Sequence, residues 1–178
     1  MNENKPAYLS HYGIRAKNFR EMIDWYSTVF GAKIQHQNEF LAFRTFDDEH
    51  HRVVIFEDGD TVDKPPTAAG IDHVGYGVAD FGSLVETYER LKAQGITPFL
   101  PLNHKFTTSL YYRDPDGNEV ELSVDNFPKD ECNAFITSEK MDEIGRPPFG
   151  CTFDPEELVR QYRAGAPDSV LARIGVPD

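Results

Sequence analysis

The stretch His-Tyr-Gly-Ile-Arg-Ala-Lys-Asn-Phe, residues 11–19, decides the fold, because a similar stretch follows it in the same chain. Residues 73–81 read His-Val-Gly-Tyr-Gly-Val-Ala-Asp-Phe. Aligned without a gap, the two stretches and the residues after them place these pairs at equivalent positions: His11 and His73, Gly13 and Gly75, Asn18 and Asp80, Phe19 and Phe81, and Tyr26 and Tyr88. A match of this kind indicates two copies of one structural unit.

Each copy begins with a β-type run that leads into a helix. The runs cover residues 8–15 and 71–79, and Asn18 or Asp80 then supplies a side chain of the kind that caps helix N-termini. Apolar residues recur at helical spacing after each cap until a glycine interrupts the pattern. The sequence therefore predicts a strand and an amphipathic helix in both copies, with one face of each helix packed on a sheet.

Three further strands follow each predicted helix. In the first copy they cover residues 33–37, 40–46 and 51–57, and in the second copy residues 96–100, 109–113 and 119–124. The Asp-Pro-Asp-Gly-Asn turn at residues 114–118 joins the last two strands and lacks the ligand spacing of a calcium loop. We therefore predict an α+β fold made of two tandem βαβββ modules.

The chain of 178 residues has the size of a single domain. We divide it into module one at 7–58, a linker rich in Pro and Gly at 59–70, module two at 71–126 and a C-terminal extension at 127–178. In the extension, an Asp-Pro pair at residues 154–155 is typical of a helix start. It predicts a terminal helix over roughly residues 155–163, packed on the outside.

Composition and charge exclude several classes of protein. The chain carries 18 Lys and Arg against 30 Asp and Glu, and the formal charge of −12 opposes binding to nucleic acid or to an anionic membrane. No window has the roughly 20 apolar residues of a membrane span, and residues 1–10 contain no apolar signal segment. Cys132 and Cys151 favour free thiols, with a disulfide that pins the tail as the alternative. We expect a cytoplasmic protein.

The repeated histidines are candidate metal ligands. Side chains alternate across a strand, so His11 and His73 occupy equivalent places on two equivalent sheets and converge if the sheets face each other. Glu121 lies in the last strand of the second copy, where the first copy has Val54, so only one copy supplies a carboxylate. Two His and one carboxylate with open positions are typical of non-haem Fe(II) sites that activate oxygen.

A longer motif in the second copy resembles a known family. The stretch from His104 to Glu121 reads HKFTTSLYYRDPDGNEVE. It is similar to the signature of type I extradiol ring-cleavage dioxygenases, in which a His is followed by an apolar residue, a Tyr, an Asp-type residue, Pro, Gly and finally Glu. Leu102 is a minor departure, since the family has a small or β-branched residue there.

Two other parts of the chain also resemble that family, namely the pair His50-His51 and the ending at residues 149–158. The resemblance covers nearly the whole chain. It is strongest to the one-domain, catechol-cleaving members of the vicinal oxygen chelate superfamily, which include small enzymes that act on biphenyl-2,3-diol. It implies that the two modules form a vicinal oxygen chelate fold.

The resemblance also implies a metal site. His11, His73 and Glu121 would hold Fe(II), although Mn(II) accepts the same ligands. His51 would be the acid/base of the reaction, with His50 as the competing residue. A His with an ordinary pKa near 6.5 suits the deprotonation of a catechol.

The substrate contacts implied by the resemblance are His104 and Tyr111. For His104 a plain role in a loop at residues 101–108 stays open. For Tyr111 the alternative is Tyr112, because neighbouring residues of a strand face opposite sides. His36 is expected at the surface.

The best interpretation is an Fe(II)-dependent extradiol dioxygenase that cleaves a catechol-type ring, such as 2,3-dihydroxybiphenyl, with O2. The partners would then be a small aromatic diol, O2 and further copies of the chain in a homo-oligomer. The same scaffold hosts metal-dependent isomerases and lyases of the glyoxalase type and metal-free proteins that bind aromatic compounds. The additional His51, His104 and Tyr111 favour dioxygenation over these alternatives.

Overall fold

A computed structural model describes residues 5–65, 67–144 and 149–177. Residues 1–4 of the N-terminal segment, Pro66 of the linker, residues 145–148 of the extension and Asp178 lie outside the described residues. The chain divides into two compact units. The first unit comprises residues 1–70 and 114–117, and the second comprises residues 71–113 and 118–178.

The first unit contains one helix and a four-stranded sheet. Its elements, in order, are β1 (Tyr12–Arg15), α1 (Phe19–Phe30), β2 (Lys33–Gln37), β3 (Leu41–Thr45) and β4 (Val53–Phe56). The strand order is β1-β4-β3-β2, with β1 parallel to β4 and the other pairs antiparallel. This arrangement is the predicted βαβββ module.

The helix of the first unit packs on its sheet through a continuous apolar face. The buried residues of α1 recur at helical spacing and are Phe19, Met22, Ile23, Trp25, Tyr26 and Val29. The helix ends at Gly31, whose φ of 59° is the left-handed conformation that glycine adopts most readily.

The start of α1 differs from the prediction that Asn18 caps it. Among the described residues, the Asn18 side chain accepts no hydrogen bond from the first turn. The carboxylate of Asp116 accepts the backbone N–H of Lys17 at 2.7 Å and the side-chain amide of Asn18 at 2.6 Å. Asp116 belongs to the hairpin turn at residues 114–117, which clusters with the first unit. The helix start is therefore held by a residue distant in sequence, which local patterns could not predict.

The second unit repeats the module and adds the extension. Its module consists of β5 (His73–Gly77), α2 (Phe81–Lys92), β6 (Leu100–Asn103), β7 (Thr107–Arg113) and β8 (Glu119–Asp125). Asp80 caps α2 as predicted, since its side chain accepts the backbone N–H of Ser83 at 2.7 Å. The two modules confirm the predicted α+β fold class.

The extension contains more structure than the predicted helix. That helix is present as α4 (Pro155–Arg163). The other elements of the extension were not predicted, and they are α3 (Lys129–Ile136), a 3₁₀ helix (Glu139–Ile144), β9 (Cys151–Thr152) and α5 (Asp168–Leu171). β9 pairs with β6, which gives the second sheet the order β5-β8-β7-β6-β9. The α4 helix packs outside on α2, where Glu156 accepts hydrogen bonds from Lys92 and Tyr88.

Three predicted strand boundaries are wrong. Residues 8–11 precede β1, and His51 lies in the loop before β4. The strand predicted at 96–100 lies instead at Leu100–Asn103, so all but its first residue fall in the segment expected to be a loop. Pro101 is compatible with a strand there because it lies near the strand start, in the part of β6 that β9 does not pair with.

Cys132 and Cys151 are free thiols, as predicted, and Cys132 is buried. No helix within the described ranges is long and apolar enough to cross a membrane.

Candidate metal and substrate site

The strand registers place Glu121 where the sequence alignment predicts it. In the second unit, Glu121 of β8 is the direct partner of Gly75 of β5. In the first unit, Val54 of β4 is the partner of Gly13 of β1. Both glycines follow a repeated histidine by two residues. The two copies therefore share one backbone register and differ in the side chain at this position.

His73 and Glu121 form the polar centre of the second unit. The Nδ1 of His73 lies 2.8 Å from the Asp72 carboxylate, which accepts, so Nδ1 is the donor of that hydrogen bond. The Nε2 of the same ring lies 3.2 Å from Oε2 of Glu121. Two lone-pair donors facing each other at this distance repel unless a cation or a proton lies between them.

The Glu121 carboxylate is held in place from two sides. Its Oε1 accepts a hydrogen bond from the Ser109 hydroxyl at 2.6 Å. On the other side, a Cβ added at Gly75 would lie 2.9 Å from Oε2 of Glu121. The absence of a side chain at Gly75 therefore makes the space that this carboxylate occupies.

His104 and Tyr111 lie beside this pair. Nε2 of His104 lies 3.1 Å from the Tyr111 hydroxyl and 3.9 Å from Oε1 of Glu121. Nδ1 of His104 lies 2.5 Å from the carbonyl oxygen of Phe149. Burial, and then the nearby Glu121 carboxylate, raises the pKa of Tyr111 above its ordinary value, so the hydroxyl stays protonated and can donate.

The predicted alternative to Tyr111 faces the other side of the sheet. Tyr112 is fully buried, and its raised pKa reflects that burial and the nearby Tyr88 of α2. Tyr111 instead lines the same pocket as His104 and Glu121. Of the two tyrosines, Tyr111 is therefore the one placed to contact a ligand.

The polar residues open into a pocket of about 830 Å³ within the second unit. This volume lies in the range of small-molecule sites, about 300–1,000 Å³. The His and carboxylate side chains described above line it. Apolar side chains line it as well, namely Leu100, Leu102, Phe106, Met141, Ile144 and Phe149. Half of these apolar residues belong to the C-terminal extension.

The first unit groups the two remaining predicted residues. His11 and His51 lie with ring centroids 4.4 Å apart, and His51 also stacks on Phe43 at 4.9 Å. Partial burial, followed by the nearby His11 and His50 rings, lowers the pKa of His51 and favours its neutral form. His50 is more exposed, and its ring contacts both His51 and Glu49. His51 is thus the more buried of the two histidines and packs between His11 and Phe43.

The donor types in the second unit fit a divalent metal. A neutral imidazole and a carboxylate are ligands of the kind that Fe(II) and Mn(II) accept. Their spacing of 3.2 Å is close to the roughly 3 Å between two ligands at a right angle, each about 2.1 Å from one ion. Across the residues that the structure describes, no three His, Cys, Asp or Glu side chains form a complete metal-binding group. The three-ligand set therefore stays a prediction.

Sequence reasoning missed four contributors to this site: Asp72, Gly75, Ser109 and Phe149. Asp72 and Gly75 flank the repeated His73, and their proximity to it in sequence was an available signal. Ser109 lies opposite Ser123 in the β7–β8 ladder and only the fold shows that it reaches Glu121. The Phe149 contact depends on the course of the extension, which no local pattern reveals.

Comparison with known proteins gives a family match over most of the chain. The model of the Glyoxalase/Bleomycin resistance protein/Dioxygenase superfamily matches residues 8–122. Biphenyl-2,3-diol 1,2-dioxygenase 2 of Rhodococcus globerulus is 41% identical over 160 residues, 89% of this chain and 83% of the relative. Biphenyl-2,3-diol 1,2-dioxygenase 3 of the same organism is 37% identical over 166 residues, 92% of this chain and 86% of the relative.

Solved structures agree on the fold. A glyoxylase/bleomycin resistance protein/dioxygenase domain from a Frankia species matches with a TM-score of 0.57 and 21% identity, covering 68% of this chain and 99% of that one. Lactoylglutathione lyase from Agrobacterium tumefaciens matches with a TM-score of 0.55 and 21% identity, covering 67% and 94%. At this level of identity the matches concern the fold alone.

Proposed function

The chain belongs to the Glyoxalase/Bleomycin resistance protein/Dioxygenase superfamily, and from this premise we propose that it is an Fe(II)-dependent extradiol dioxygenase. The proposed substrate is a catechol that carries an apolar aryl substituent, such as 2,3-dihydroxybiphenyl. One observation carries the proposal: His73, Glu121, His104 and Tyr111 line a single pocket together with six apolar side chains. The biphenyl-2,3-diol 1,2-dioxygenases that are 41% and 37% identical support the same reaction.

We assign the metal to His11, His73 and Glu121, with Mn(II) as the alternative ion. The contacts of Asp72 and Ser109 support His73 and Glu121, since they leave Nε2 of the imidazole and Oε2 of the carboxylate free for an ion. His11 is supported by its equivalence to His73 in the repeat. A bound Fe(II) would activate O2 and the diol for ring cleavage.

The protein groups around the diol would bind it and manage its protons. The Tyr111 hydroxyl stays protonated and can donate a hydrogen bond to a deprotonated diol oxygen. His104 lies beside it, with Nε2 placed 3.1 Å from the Tyr111 hydroxyl, where it can accept a hydrogen bond. We assign the acid/base role to His51, because its lowered pKa keeps the imidazole neutral and able to accept a proton.

The pocket lining supports an apolar and uncharged substituent on the ring. Asp72, Glu119 and Glu121 line the pocket, and no Lys or Arg does so among the residues described. A carboxylate on the substrate would therefore meet negative charge without a cation to pair with it. An aryl group would bury apolar surface against Phe106, Phe149 and their neighbours.

The proposal is tested by loading the protein with Fe(II) under anaerobic conditions, adding a diol and then admitting air. We expect one O2 consumed per 2,3-dihydroxybiphenyl, with a yellow ring-cleavage product, and weak turnover of 3,4-dihydroxybenzoate. His73→Ala should lose metal and activity, whereas the matched surface variant His36→Ala should keep both. His51→Ala should keep the metal and lose turnover.

Two outcomes would overturn parts of this assignment. If the protein binds iron but consumes no O2 with any catechol, a non-oxidative isomerase or lyase reaction becomes the better interpretation. A His51→Ala variant with full activity would show that another group is the acid/base.

A further inference from the structure

The contact between His104 and the C-terminal extension determines which ring nitrogen carries hydrogen. Nδ1 of His104 lies 2.5 Å from the carbonyl oxygen of Phe149, and a carbonyl oxygen can only accept. Nδ1 must therefore be the donor. In the neutral ring Nε2 is then an acceptor, and it faces the Tyr111 hydroxyl at 3.1 Å.

The carbonyl of Phe149 is presented by an uncommon backbone conformation. Phe149 has a φ of 53°, in the left-handed region that a residue with a bulky side chain rarely adopts. The next residue, Gly150, has a φ of 151°, and a Cβ there would lie 2.4 Å from the carbonyl oxygen of Asn103. Only glycine fits this close approach to the residue before His104. Strain of this kind persists where the surroundings impose it, and it is common at functional sites.

The other side of the contact is fixed as well. The buried Asn103 side chain donates to the carbonyl oxygens of Ala172 and Ile174, each at 3.0 Å. Its Oδ1 accepts the backbone N–H of Lys105 at 2.8 Å, and Lys105 also has a positive φ, of 71°. Both neighbours of His104 are therefore held by the fold, so the imidazole meets the Phe149 carbonyl at a defined place.

We propose that Phe149 and Gly150 are positioning residues that hold His104 in the tautomer with hydrogen on Nδ1, leaving Nε2 as a hydrogen-bond acceptor in the pocket. The Tyr111 hydroxyl or a substrate hydroxyl can then donate to Nε2. The opposite tautomer would place an N–H in the pocket and leave the Phe149 carbonyl without its donor. The tautomer follows from the contacts alone, whereas its effect on turnover rests on the proposed dioxygenase function.

The test reads the tautomer directly, in metal-free protein with ¹⁵N-labelled histidine, by long-range ¹H–¹⁵N correlation spectra near pH 8. His104→Gln identifies the His104 signals. We expect wild-type His104 to show a protonated Nδ1 and an unprotonated Nε2. Gly150→Ala should displace the Phe149 carbonyl and convert His104 to the other tautomer or to a mixture.

Two matched variants separate the backbone effect from other causes. Gly165→Ala also adds a Cβ at a positive φ, 79°, in the extension, but no described atom lies within 4 Å of it, so the His104 signals should not change. Phe149→Gly removes the ring from the pocket lining while glycine tolerates the same φ. It should keep the His104 tautomer and raise KM for 2,3-dihydroxybiphenyl.

In the Fe(II)-loaded enzyme, Gly150→Ala should lower kcat by about tenfold or more with a smaller change in KM. A wild-type spectrum with hydrogen on Nε2 would overturn the proposal by itself, even if Gly150→Ala does not fold. An unchanged tautomer in folded Gly150→Ala would overturn the role of Gly150. Absence of O2 uptake by the wild type would refute the proposed function, and the tautomer result would still decide this inference.

Discussion

The two copies of the βαβββ module place the same backbone around different side chains. In the first unit, Gly13 is paired with Val54, and in the second Gly75 is paired with Glu121. Each copy also has a polar residue directly before its repeated histidine. Ser10 lies 3.3 Å from Nδ1 of His11, whereas Asp72 lies 2.8 Å from Nδ1 of His73.

The two copies keep the same strand register and differ in the side chain opposite the glycine. The strand register is kept in both copies, because a shift by one residue would exchange the two faces of the strand. The side chain opposite the glycine is then free to change. Val54 is apolar and Glu121 is a carboxylate, so only the second copy offers an acidic side chain at this position. Of the changes below, removal of that carboxylate should have the largest effect on metal binding and activity.

Glu121→Val gives the second copy the residue of the first. We expect loss of Fe(II) binding and a fall in O2 uptake of about a thousandfold, because a charged metal ligand contributes several kcal/mol to the reaction. Anaerobic Fe(II) titration and an oxygen electrode would measure both effects. Val54→Ala is the matched change in the first copy and should leave iron binding unaltered. Equal iron binding by Glu121→Val would refute the ligand assignment.

Gly75→Ala tests the space that the carboxylate occupies. The new Cβ would lie 2.9 Å from Oε2 of Glu121, so the carboxylate must move, and we expect Fe(II) affinity to fall by about 10–100-fold. Stability should change little, because the displaced atom is at the end of a flexible side chain. Gly13→Ala is the control, since its nearest atom would be a Phe56 ring carbon at 3.6 Å, an ordinary contact. Similar affinities for the two variants would contradict the account.

Asp72→Ser gives the second copy the hydroxyl that precedes the histidine in the first. A carboxylate that accepts a hydrogen bond from a ligating imidazole orients the ring and raises its basicity, so we expect a loss in Fe(II) affinity of about 10-fold. Ser10→Ala should have a smaller effect, because the 3.3 Å contact of Ser10 is longer and uncharged. Metal titration by calorimetry would rank the two. A larger loss of Fe(II) affinity in Ser10→Ala than in Asp72→Ser would contradict this expectation.

The helix starts give the smallest expected effect. Asp80 caps α2 through the Ser83 amide, and that hydrogen bond lowers the pKa of Asp80. Asp80→Ala should lower Tm by about 2–4 °C, and Asn18→Ala by less, because Asn18 caps no amide of its own helix among the described residues.

The Asp80 effect should also depend on pH. A carboxyl with a lowered folded pKa stabilises the protein fully above its unfolded pKa, about 3.9, and loses this contribution as the pH falls through the folded value. The Tm difference between wild type and Asp80→Ala should therefore shrink below about pH 4. Thermal melts from pH 7 to pH 3 would test this, and a constant difference would contradict the cap.

Much of the module architecture could be predicted because its signals are local and repeated. The apolar spacing of α1 and α2 and the alignment of Val54 with Glu121 follow from sequence periodicity, and Asp80 is recognisable as the cap of α2. The start of α1 could not be predicted in the same way, because the carboxylate that holds it comes from Asp116, far along the chain.

The extension was harder to predict because its elements are short and depend on tertiary contacts. β9 contains two residues and exists through its pairing with β6. The strand β6 itself was misplaced, because residues 101–108 were expected to form a loop. At the site, the repeat and the strand pattern pointed to His73 and Glu121, and the family resemblance pointed to His104 and Tyr111. The contacts of Ser109 and Phe149 required the fold.

The most direct test of the central claim is an anomalous diffraction measurement at the iron edge on crystals grown anaerobically with Fe(II). We expect one iron peak per chain, within coordination distance of both His73 Nε2 and Glu121 Oε2. A peak at another set of side chains, or no peak although the protein consumes O2 with 2,3-dihydroxybiphenyl, would contradict it.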